Sequence, residues 1–189
     1  MTLFRGKFRI ESTRLKGYDY ASPGAYFVTI CTKNRERSFG MIDVGKMHLS
    51  ELGKVAESMW REIPYHFPHA EIDEFVIMPN HVHGIIWILN RAVNSVIPVE
   101  TQHAASLQTI PNITAKPHEY IPPGSLGAIV RSYKSAVKKW ATAKGIPFAW
   151  QSRYHDRIIC DDKSLRKIRL YISYNPVNWP NDRLNEPPR

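Results

Sequence analysis

Two apolar runs that follow each other closely restrict the fold of this chain more than any other feature. They span Ile72 to Met78 and His81 to Leu89, and they are joined at Pro79-Asn80. A connection this short allows neighbouring strands to pair only in the antiparallel direction. In the second run, apolar residues occupy both odd and even positions. They therefore lie on both faces of the strand, as in a strand that is buried on both sides. The chain is therefore expected to contain an antiparallel sheet with this second run at its centre.

The segments before this pair are typical of strands and one helix. Tyr26 to Thr32 is dense in β-branched and aromatic residues and predicts a strand, and Phe39 to Leu49 predicts a hairpin. Ser50 is a typical N-cap, and the apolar residues that follow it recur at helical spacing up to Ile63. Pro64 is expected to end that helix.

The second half of the chain is expected to hold a helix, a short strand and a last helix. The predicted elements are a helix from Ser125 to Gly145, a strand through Arg157 to Cys160, and a helix from about Ser164 to Tyr174, which Asp161 or Asp162 caps and Pro176 follows. Together with the first half, this order predicts an α+β fold. The expected architecture is a ferredoxin-like (RRM-like) antiparallel sheet covered by helices.

A length of 189 residues favours a single domain. Two segments are expected to be irregular: a proline-rich loop or insertion at about 91–124, and a tail at 176–189. Cys31 and Cys160 form no Cys-x-x-Cys pair, which argues against a disulfide framework and favours a reducing, cytoplasmic location. No run approaches the ~20 apolar residues of a membrane span, and the first residues do not suit a signal peptide.

The charge of the chain favours a polyanionic partner. The net charge is +9, from 26 Lys and Arg against 17 Asp and Glu. Residues 1–124 hold 13 basic and 12 acidic residues, a net +1, whereas residues 125–189 hold 13 basic and 5 acidic residues, a net +8. Because no basic amphipathic helix stands apart from the predicted core, nucleic acid is preferred as the partner and a membrane is not expected.

His81 and His83 are the sharpest candidates for chemistry in the predicted sheet. Residues two apart on a strand point to the same face, so two imidazoles can bind one divalent ion. The alternative is a structural role, since a histidine at the end of a buried strand can be satisfied by hydrogen bonds.

The last predicted helix places three polar side chains on one stripe. Lys167, Tyr171 and Asn175 are spaced four residues apart, beside the apolar stripe that faces the core. Tyr171 is a candidate nucleophile, although a tyrosine in such a place ordinarily packs with its hydroxyl at the rim. Tyr174, a short way round the helix, is an equal candidate on these grounds.

These features together resemble the REP-associated tyrosine transposases, a group of single-tyrosine HUH nucleases. Met78 to His83 is similar to the His-hydrophobic-His signature of that superfamily, and Tyr171 to Pro176 is similar to its Tyr-Ile-x-x-Asn/Gln segment. The segments Gly124 to Ser135 and Trp150 to Asp156 also resemble the group. The likeness therefore rests on four motifs in the same order, from about Gly24 to Trp179, and implies the HUH nuclease fold.

Carried over to this sequence, the resemblance implies that His81 and His83 bind a divalent metal ion, Mg²⁺ or Mn²⁺. Asn175 would be a third ligand or an orienting group. Tyr171 would be the nucleophile and would leave a 5′-phosphotyrosine and a free 3′-hydroxyl. The implied activity is metal-dependent cleavage and rejoining of single-stranded DNA by a transposase-like endonuclease, on hairpin or repetitive extragenic sequences.

Several alternatives stay open. A non-catalytic DNA- or RNA-binding regulator descended from a transposase would need none of this chemistry, and a metal phosphodiesterase would use water in place of a tyrosine. Tyr133 and Tyr154 are rivals to Tyr171, which is preferred because Asn175 follows it by one helical turn. Relatives in the superfamily include dimers and monomers, so a homodimer is an open alternative.

Basic residues near these motifs are candidates for contact with the phosphate backbone of DNA. They are Arg131, Lys134 and Lys138 in the first helix of the second half, Arg153 and Arg157 around the short strand, and Lys167 in the last helix. The alternative is that they form an ordinary solvated surface. The expected partner is a single-stranded DNA that carries a hairpin.

Overall fold

Four strands of this protein form one antiparallel sheet. The computed structural model describes residues 3–4, 7–8, 15, 17–90 and 121–186. In chain order its elements are β1 (Leu3–Phe4), β2 (Lys7–Phe8), β3 (Gly24–Cys31), β4 (Gly40–Asp43), β5 (Lys46–Leu49), α1 (Glu51–Arg61), α2 (Ile63–His66), β6 (Ala70–Met78), β7 (His81–Ile88), α3 (Leu126–Ala143), β8 (His155–Ile159) and α4 (Asp162–Tyr174), with 3-10 turns at Lys33–Arg35 and Trp179–Asn181. Residues 91–120 of the predicted loop lie outside the described residues, as do residues 187–189 of the predicted tail.

The strand order in the sheet is β6-β7-β3-β8, and every neighbouring pair is antiparallel. Helix α1 connects β3 to β6, and α3 connects β7 to β8, so the core of the chain reads βαββαβ. This is the ferredoxin-like arrangement, and the predicted fold class is confirmed. The pairing of β6 with β7 across a two-residue connection is confirmed as well.

The helices begin where the capping residues predict. The side chains of Ser50, Ser125 and Asp161 each accept a hydrogen bond from the backbone N–H three residues further on, at 3.0, 3.3 and 2.7 Å. Of the two candidate aspartates before α4, the cap is therefore Asp161. Pro64 does not end the helical region as predicted: it lies in the first turn of α2, where a proline loses no helical hydrogen bond.

The helices lie on both faces of the sheet. One hydrophobic core lies between the sheet and the helices α1 and α3, and it includes Val82 and Ile86 of β7. The second, smaller core lies on the other face, where α4 packs through Leu165, Ile168 and Ile172 on Ala25 of β3 and Ile85 of β7. Because side chains alternate along a strand, the histidines of β7 share the face that α4 covers.

Gly84 allows α1 to pack closely on the sheet. A Cβ atom at this position would lie 2.3 Å from Cζ2 of Trp60, which is fully buried. Since a real Cβ atom does not approach another carbon this closely, any other residue would push α1 away from β7. The residue directly after the His-Val-His motif therefore allows close helix packing on the opposite face of the same strand.

Arg169 of α4 joins the helix to the sheet through Asp73 of β6. The guanidinium donates from Nε and Nη2 to the two carboxylate oxygens at 2.9 and 2.6 Å, and Nε1 of Trp87 donates to the same carboxylate at 2.9 Å. Arg169 is the main cause that lowers the pKa of Asp73 to about 2, and Trp87 contributes. The ion pair fixes α4 at one position along the edge of the sheet.

We expect Arg169→Ala to lower the free energy of unfolding by about 1 kcal/mol, because water screens a half-exposed pair. The folded-state pKa of Asp73 lies below the usual 3.8, so the pair stabilises the fold above that pH and loses its effect as the pH falls towards 2. Urea unfolding at several pH values measures the difference. Arg166→Ala, an exposed position on the same helix, is the control, and an equal loss in both variants would contradict the role of the ion pair.

Among the described residues, no helix combines the length and the apolar character that crossing a membrane requires.

Candidate functional site

His81 and His83 lie side by side on the face of β7 that α4 covers. Both are buried, and their ring centroids are 4.4 Å apart. Burial strongly lowers the pKa of His81 and lowers that of His83 to about 3, so both rings are neutral near pH 7. Neutral imidazoles have a free nitrogen lone pair, which is the form that binds a metal ion.

Asn80 orients the ring of His81. The amide nitrogen of Asn80 donates to the carbonyl of Leu184 at 2.7 Å and to that of Arg35 at 3.3 Å, so its oxygen is the group that faces His81. Nδ1 of His81 lies 2.8 Å from this oxygen and must donate to it. The lone pair of His81 is therefore on Nε2, which is buried and has no hydrogen-bond partner.

The ring of His83 lies between Thr29 of β3 and Tyr171 of α4. Nδ1 is 2.8 Å from the Thr29 hydroxyl, and Nε2 is 3.2 Å from the Tyr171 hydroxyl. Both bonds form with the ring proton on either nitrogen, because each hydroxyl is both a donor and an acceptor. With the proton on Nδ1, Nε2 accepts from Tyr171 and its lone pair faces the last helix.

Tyr171 is the predicted nucleophile that the structure brings to the histidines. Its side chain is 46% exposed and lines a cleft of about 610 Å³. Other residues that line the cleft are Phe27, Thr29, His83, Asn175 and Asp182. Partial burial raises the pKa of Tyr171, and the nearby carboxylate of Asp182 raises it further. A positive charge in the cleft is therefore needed before this hydroxyl ionises easily.

Tyr133 and Tyr154 belong to the hydrophobic core on the other face of the sheet. The Tyr133 side chain is buried, its hydroxyl donates to the carbonyl of Ala56, and burial raises its pKa strongly. Tyr154 packs against the same core. Tyr174 is 58% exposed on α4. Of the four tyrosines that the sequence put forward, Tyr171 is the one with a hydrogen bond to the histidine pair.

Asp182 lies beside the histidines, although no sequence pattern pointed to it. Its Oδ2 is 3.9 Å from Nε2 of His81, and ligand atoms of His81, His83 and Asp182 all lie within 4.8 Å of one another. Asn175, predicted as the third ligand, is also buried and lines the same cleft. Asn175 therefore lies in the same cleft as the histidines, and Asp182 adds a carboxylate there.

These residues fit a divalent metal ion. Nε2 of His81, Oδ1 of Asn175 and Oδ2 of Asp182 are buried, and none of these atoms has a hydrogen-bond partner. An unsatisfied buried polar atom destabilises a fold by about 1–3 kcal/mol, so several at one point call for an explanation. Two imidazole nitrogens, a carboxylate and an amide oxygen are a mixed set of donors that suits a transition-metal ion.

The predicted basic residues lie on different sides of the sheet. Arg157 of β8 is paired with Phe27, which lines the cleft, and Lys167 is exposed on α4 one turn before Tyr171. Arg153 is exposed in the segment before β8.

The three basic residues of α3, in contrast, belong to the helix that covers the opposite face. Arg131 is exposed there. The ammonium groups of Lys134 and Lys138 donate to the carbonyls of Gln151 and Phe148. These two lysines thus hold the segment that leads into β8.

The hydrogen bond between His83 and Thr29 allows a further test of the site. We expect Thr29→Val to weaken Mn²⁺ binding by about tenfold, since groups that orient a ligating histidine contribute about 10- to 100-fold to metal affinity. Valine has nearly the same shape as threonine, so the change removes the hydroxyl with little effect on packing. Isothermal titration with MnCl₂ measures it. Thr29→Ser keeps the hydroxyl as the control, and equal affinities in all three proteins would contradict the role of Thr29.

Both the sequence and the fold of this chain are similar to those of other proteins. No family model matches the chain. It is 41% identical over 176 residues to an uncharacterized protein of Haemophilus influenzae. The aligned region covers 92% of each chain. It is 23% identical over 159 residues to a putative REP-associated tyrosine transposase of the same species. The aligned region covers 84% of this chain and 73% of that one.

A solved structure of a REP-associated tyrosine transposase bound to a REP hairpin has a similar fold. The TM-score is 0.56 at 18% identity, over 89% of this chain and 74% of that one.

Proposed function

We propose that this chain belongs to the REP-associated tyrosine transposase family and that it cleaves and rejoins single-stranded DNA through a covalent bond to Tyr171. The observation that carries the proposal is the 3.2 Å contact between the Tyr171 hydroxyl and Nε2 of His83. The contact supports the proposal because it joins an accessible hydroxyl to one of three residues whose ligand atoms lie within 4.8 Å of one another. Both groups belong to the same chain, so we propose that one chain is sufficient for cleavage.

We propose that His81, His83 and Asp182 hold one divalent metal ion, with Asn175 as a further ligand, and that Mn²⁺ serves better than Mg²⁺. Two imidazole nitrogens favour Mn²⁺ over Mg²⁺, which prefers oxygen. When bound, such an ion supplies positive charge for a phosphate oxygen and for the phenolate. The protein residues then orient and confine the reacting groups.

The proposed reaction is an exchange of phosphodiester bonds. The Tyr171 oxygen attacks the phosphorus atom, its proton passes to water of the cleft, and the bond from phosphorus to the 3′ oxygen breaks. The leaving 3′ oxygen takes up a proton, and the 5′ end remains on the tyrosine as a phosphodiester. Attack by a 3′-hydroxyl on this intermediate reverses the steps and rejoins DNA. No external energy is needed, because each broken bond is replaced by one of similar energy.

We propose that the single strand passes along the exposed side of α4. Lys163, Lys167 and Tyr171 are spaced four residues apart, so their side chains follow one another at about 6 Å along the helix axis. This spacing is close to the separation of neighbouring phosphates in a single strand, and both lysines are exposed. Arg157 stands on the same face of the sheet. The residues Arg131, Lys134 and Lys138 would contact DNA only if it continued around the edge of the sheet.

The related transposase of known structure is bound to a REP hairpin. We therefore propose a single-stranded DNA with a hairpin as the substrate of this chain. The binding of such a substrate to a region with a net charge of +8 should weaken steeply as the salt concentration rises.

A labelled oligonucleotide tests the proposal. Single strands with and without a hairpin are incubated with the protein and MnCl₂, MgCl₂ or EDTA, and the products are separated on a denaturing gel. A labelled protein–DNA adduct that requires the metal ion supports the proposal. Cleavage without an adduct would indicate attack by water, and binding without cleavage would indicate a regulator; either result would overturn it.

A further inference from the structure

Arg35 holds residues 182–186 against the site. Its Nη1 donates to the carbonyls of Arg183 and Glu186 at 3.0 and 2.8 Å. A single guanidinium nitrogen thus joins two carbonyls that lie three residues apart, on either side of Leu184. Arg37 makes a separate contact to the side chain of Asn185 at 2.8 Å. The segment 182–186 is called the strap below.

The backbone that carries Arg35 has an unusual conformation. Asn34 and Arg35 both have a φ of 54°, in the left-handed region that residues other than glycine rarely adopt. Asparagine tolerates this region better than most residues, but Arg35 destabilises the backbone there by about 1–2 kcal/mol, and surrounding contacts must offset this. The hydrogen bonds from Arg35 to the strap help to offset this backbone strain. Strain of this sort commonly marks a functional position.

Asn80 links the strap to the histidines. The same amide donates to the carbonyl of Leu184 and accepts from Nδ1 of His81. Asn80 is buried, with 1% of its surface exposed. The orientation of His81 and the position of the strap are therefore coupled through one side chain.

The strap places one oxygen of Asp182 at the metal-binding atoms. Oδ1 of Asp182 accepts from the backbone N–H of Leu184 at 2.8 Å, while Oδ2 faces Nε2 of His81 without a hydrogen-bond partner. The side chain is 7% exposed. A buried carboxylate oxygen without a hydrogen-bond partner is unfavourable, and this one lies within 4.8 Å of the ligand atoms of both histidines.

We infer that the strap completes the metal site: Asp182 is a metal ligand, and Arg35 is a positioning residue that acts through Asp182. This inference rests on the metal-dependent function proposed above. The Arg35 side chain donates to the strap, so its removal should loosen Asp182. Asn80 also donates to the backbone carbonyl of Arg35, which every substitution keeps, so His81 should stay oriented when the strap loosens.

Metal affinity measured without DNA tests this inference. Titration of MnCl₂ into the protein, followed by calorimetry and by the EPR signal of free Mn²⁺, gives the dissociation constant. We expect Asp182→Asn to raise it by about 10- to 100-fold and Arg35→Gln to raise it by about tenfold. Arg35→Lys should lie between Arg35→Gln and the unaltered protein, because an ammonium can still donate to these carbonyls.

The double variant distinguishes positioning from direct binding. If Arg35 acts through Asp182, then Arg35→Gln together with Asp182→Asn should bind Mn²⁺ no more weakly than Asp182→Asn alone. Asp43→Asn, an exposed position in the β4–β5 hairpin, is the matched control. The far-ultraviolet circular dichroism of each variant tests whether it is folded. If Arg35→Gln does not fold, Arg35→Lys takes its place in the double variant.

Each outcome is decisive. Unchanged affinity in Asp182→Asn would overturn the assignment of the ligand, and additive losses in the double variant would overturn the positioning role. Unchanged affinity with faster DNA cleavage in Arg35→Gln would show that the strap obstructs the cleft, which also overturns the inference. If the unaltered protein binds no Mn²⁺, the metal-dependent function itself fails, and this result is distinct from the others.

Discussion

Tyr171→Phe is expected to abolish the covalent protein–DNA adduct and to reduce DNA cleavage by about 10³-fold or more, as the loss of a nucleophile does in other covalent enzymes. The change removes one oxygen atom from a side chain that is half exposed at the rim of a cleft. The ring contacts with Phe27 and His83 remain, so the packing of α4 should be kept. Affinity for the DNA should therefore change by less than about threefold.

Three other tyrosines provide the controls for this experiment. Tyr174→Phe removes an exposed hydroxyl from the same helix and should leave the adduct unchanged. Tyr133→Phe removes a buried hydrogen bond to Ala56 and should lower stability by about 1 kcal/mol without removing the adduct. If the adduct survived Tyr171→Phe and disappeared in Tyr174→Phe, Tyr133→Phe or Tyr154→Phe, another tyrosine would be the nucleophile.

His81→Ala is expected to remove most of the stabilisation that a metal ion gives to the fold. A ligand present at about 100 times its dissociation constant stabilises a protein by about 2.7 kcal/mol. If the loss of one imidazole weakens binding about 100-fold, the same concentration stabilises the variant by only about 0.4 kcal/mol. Urea unfolding of the unaltered protein and of the variant, each with MnCl₂ and with EDTA, measures how much the metal ion stabilises each of them.

The free energy of unfolding of each protein with MnCl₂ is compared with that of the same protein with EDTA. A loss of packing lowers both values equally, so the difference between them measures metal binding alone. His81 is fully buried, so its removal also leaves a cavity that lowers stability with or without the metal ion. His48→Ala, on the exposed side of β5, is the control and should keep the full effect of Mn²⁺. An undiminished effect of Mn²⁺ on His81→Ala would mean that the ion binds elsewhere.

The parts of the site that depend on local geometry could be predicted from the sequence. His81 and His83 share a face because strand side chains alternate, and Tyr171 and Asn175 share one side of α4 because they are one turn apart. The capping residues likewise depend on the three residues that follow them. Such relations hold wherever the element lies in the fold.

The position of α4 and of Asp182 could not be predicted in this way. The apolar stripe of α4 fits either face of a sheet, and the face it takes depends on the space left by α1 and α3. Asp182 follows a proline-rich turn, and its place is decided by the contacts of Arg35 and Asn80 with carbonyl groups, which have no sequence signal. Similarly, Lys134 and Lys138 have the pattern of a basic surface but donate hydrogen bonds to the carbonyls of Gln151 and Phe148.

The order in which the site residues occur along the chain has a consequence for protein synthesis. Thr29 and the histidine pair emerge from the ribosome first, and β3, β6 and β7 can pair before the later segments exist. Tyr171 and Asp182 are made much later, and each must then fold back onto a strand formed long before. An incomplete chain thus holds the histidines without the tyrosine. If Tyr171 is the proposed nucleophile, a nascent chain cannot form a covalent bond with DNA until α4 has been made and has packed on the sheet.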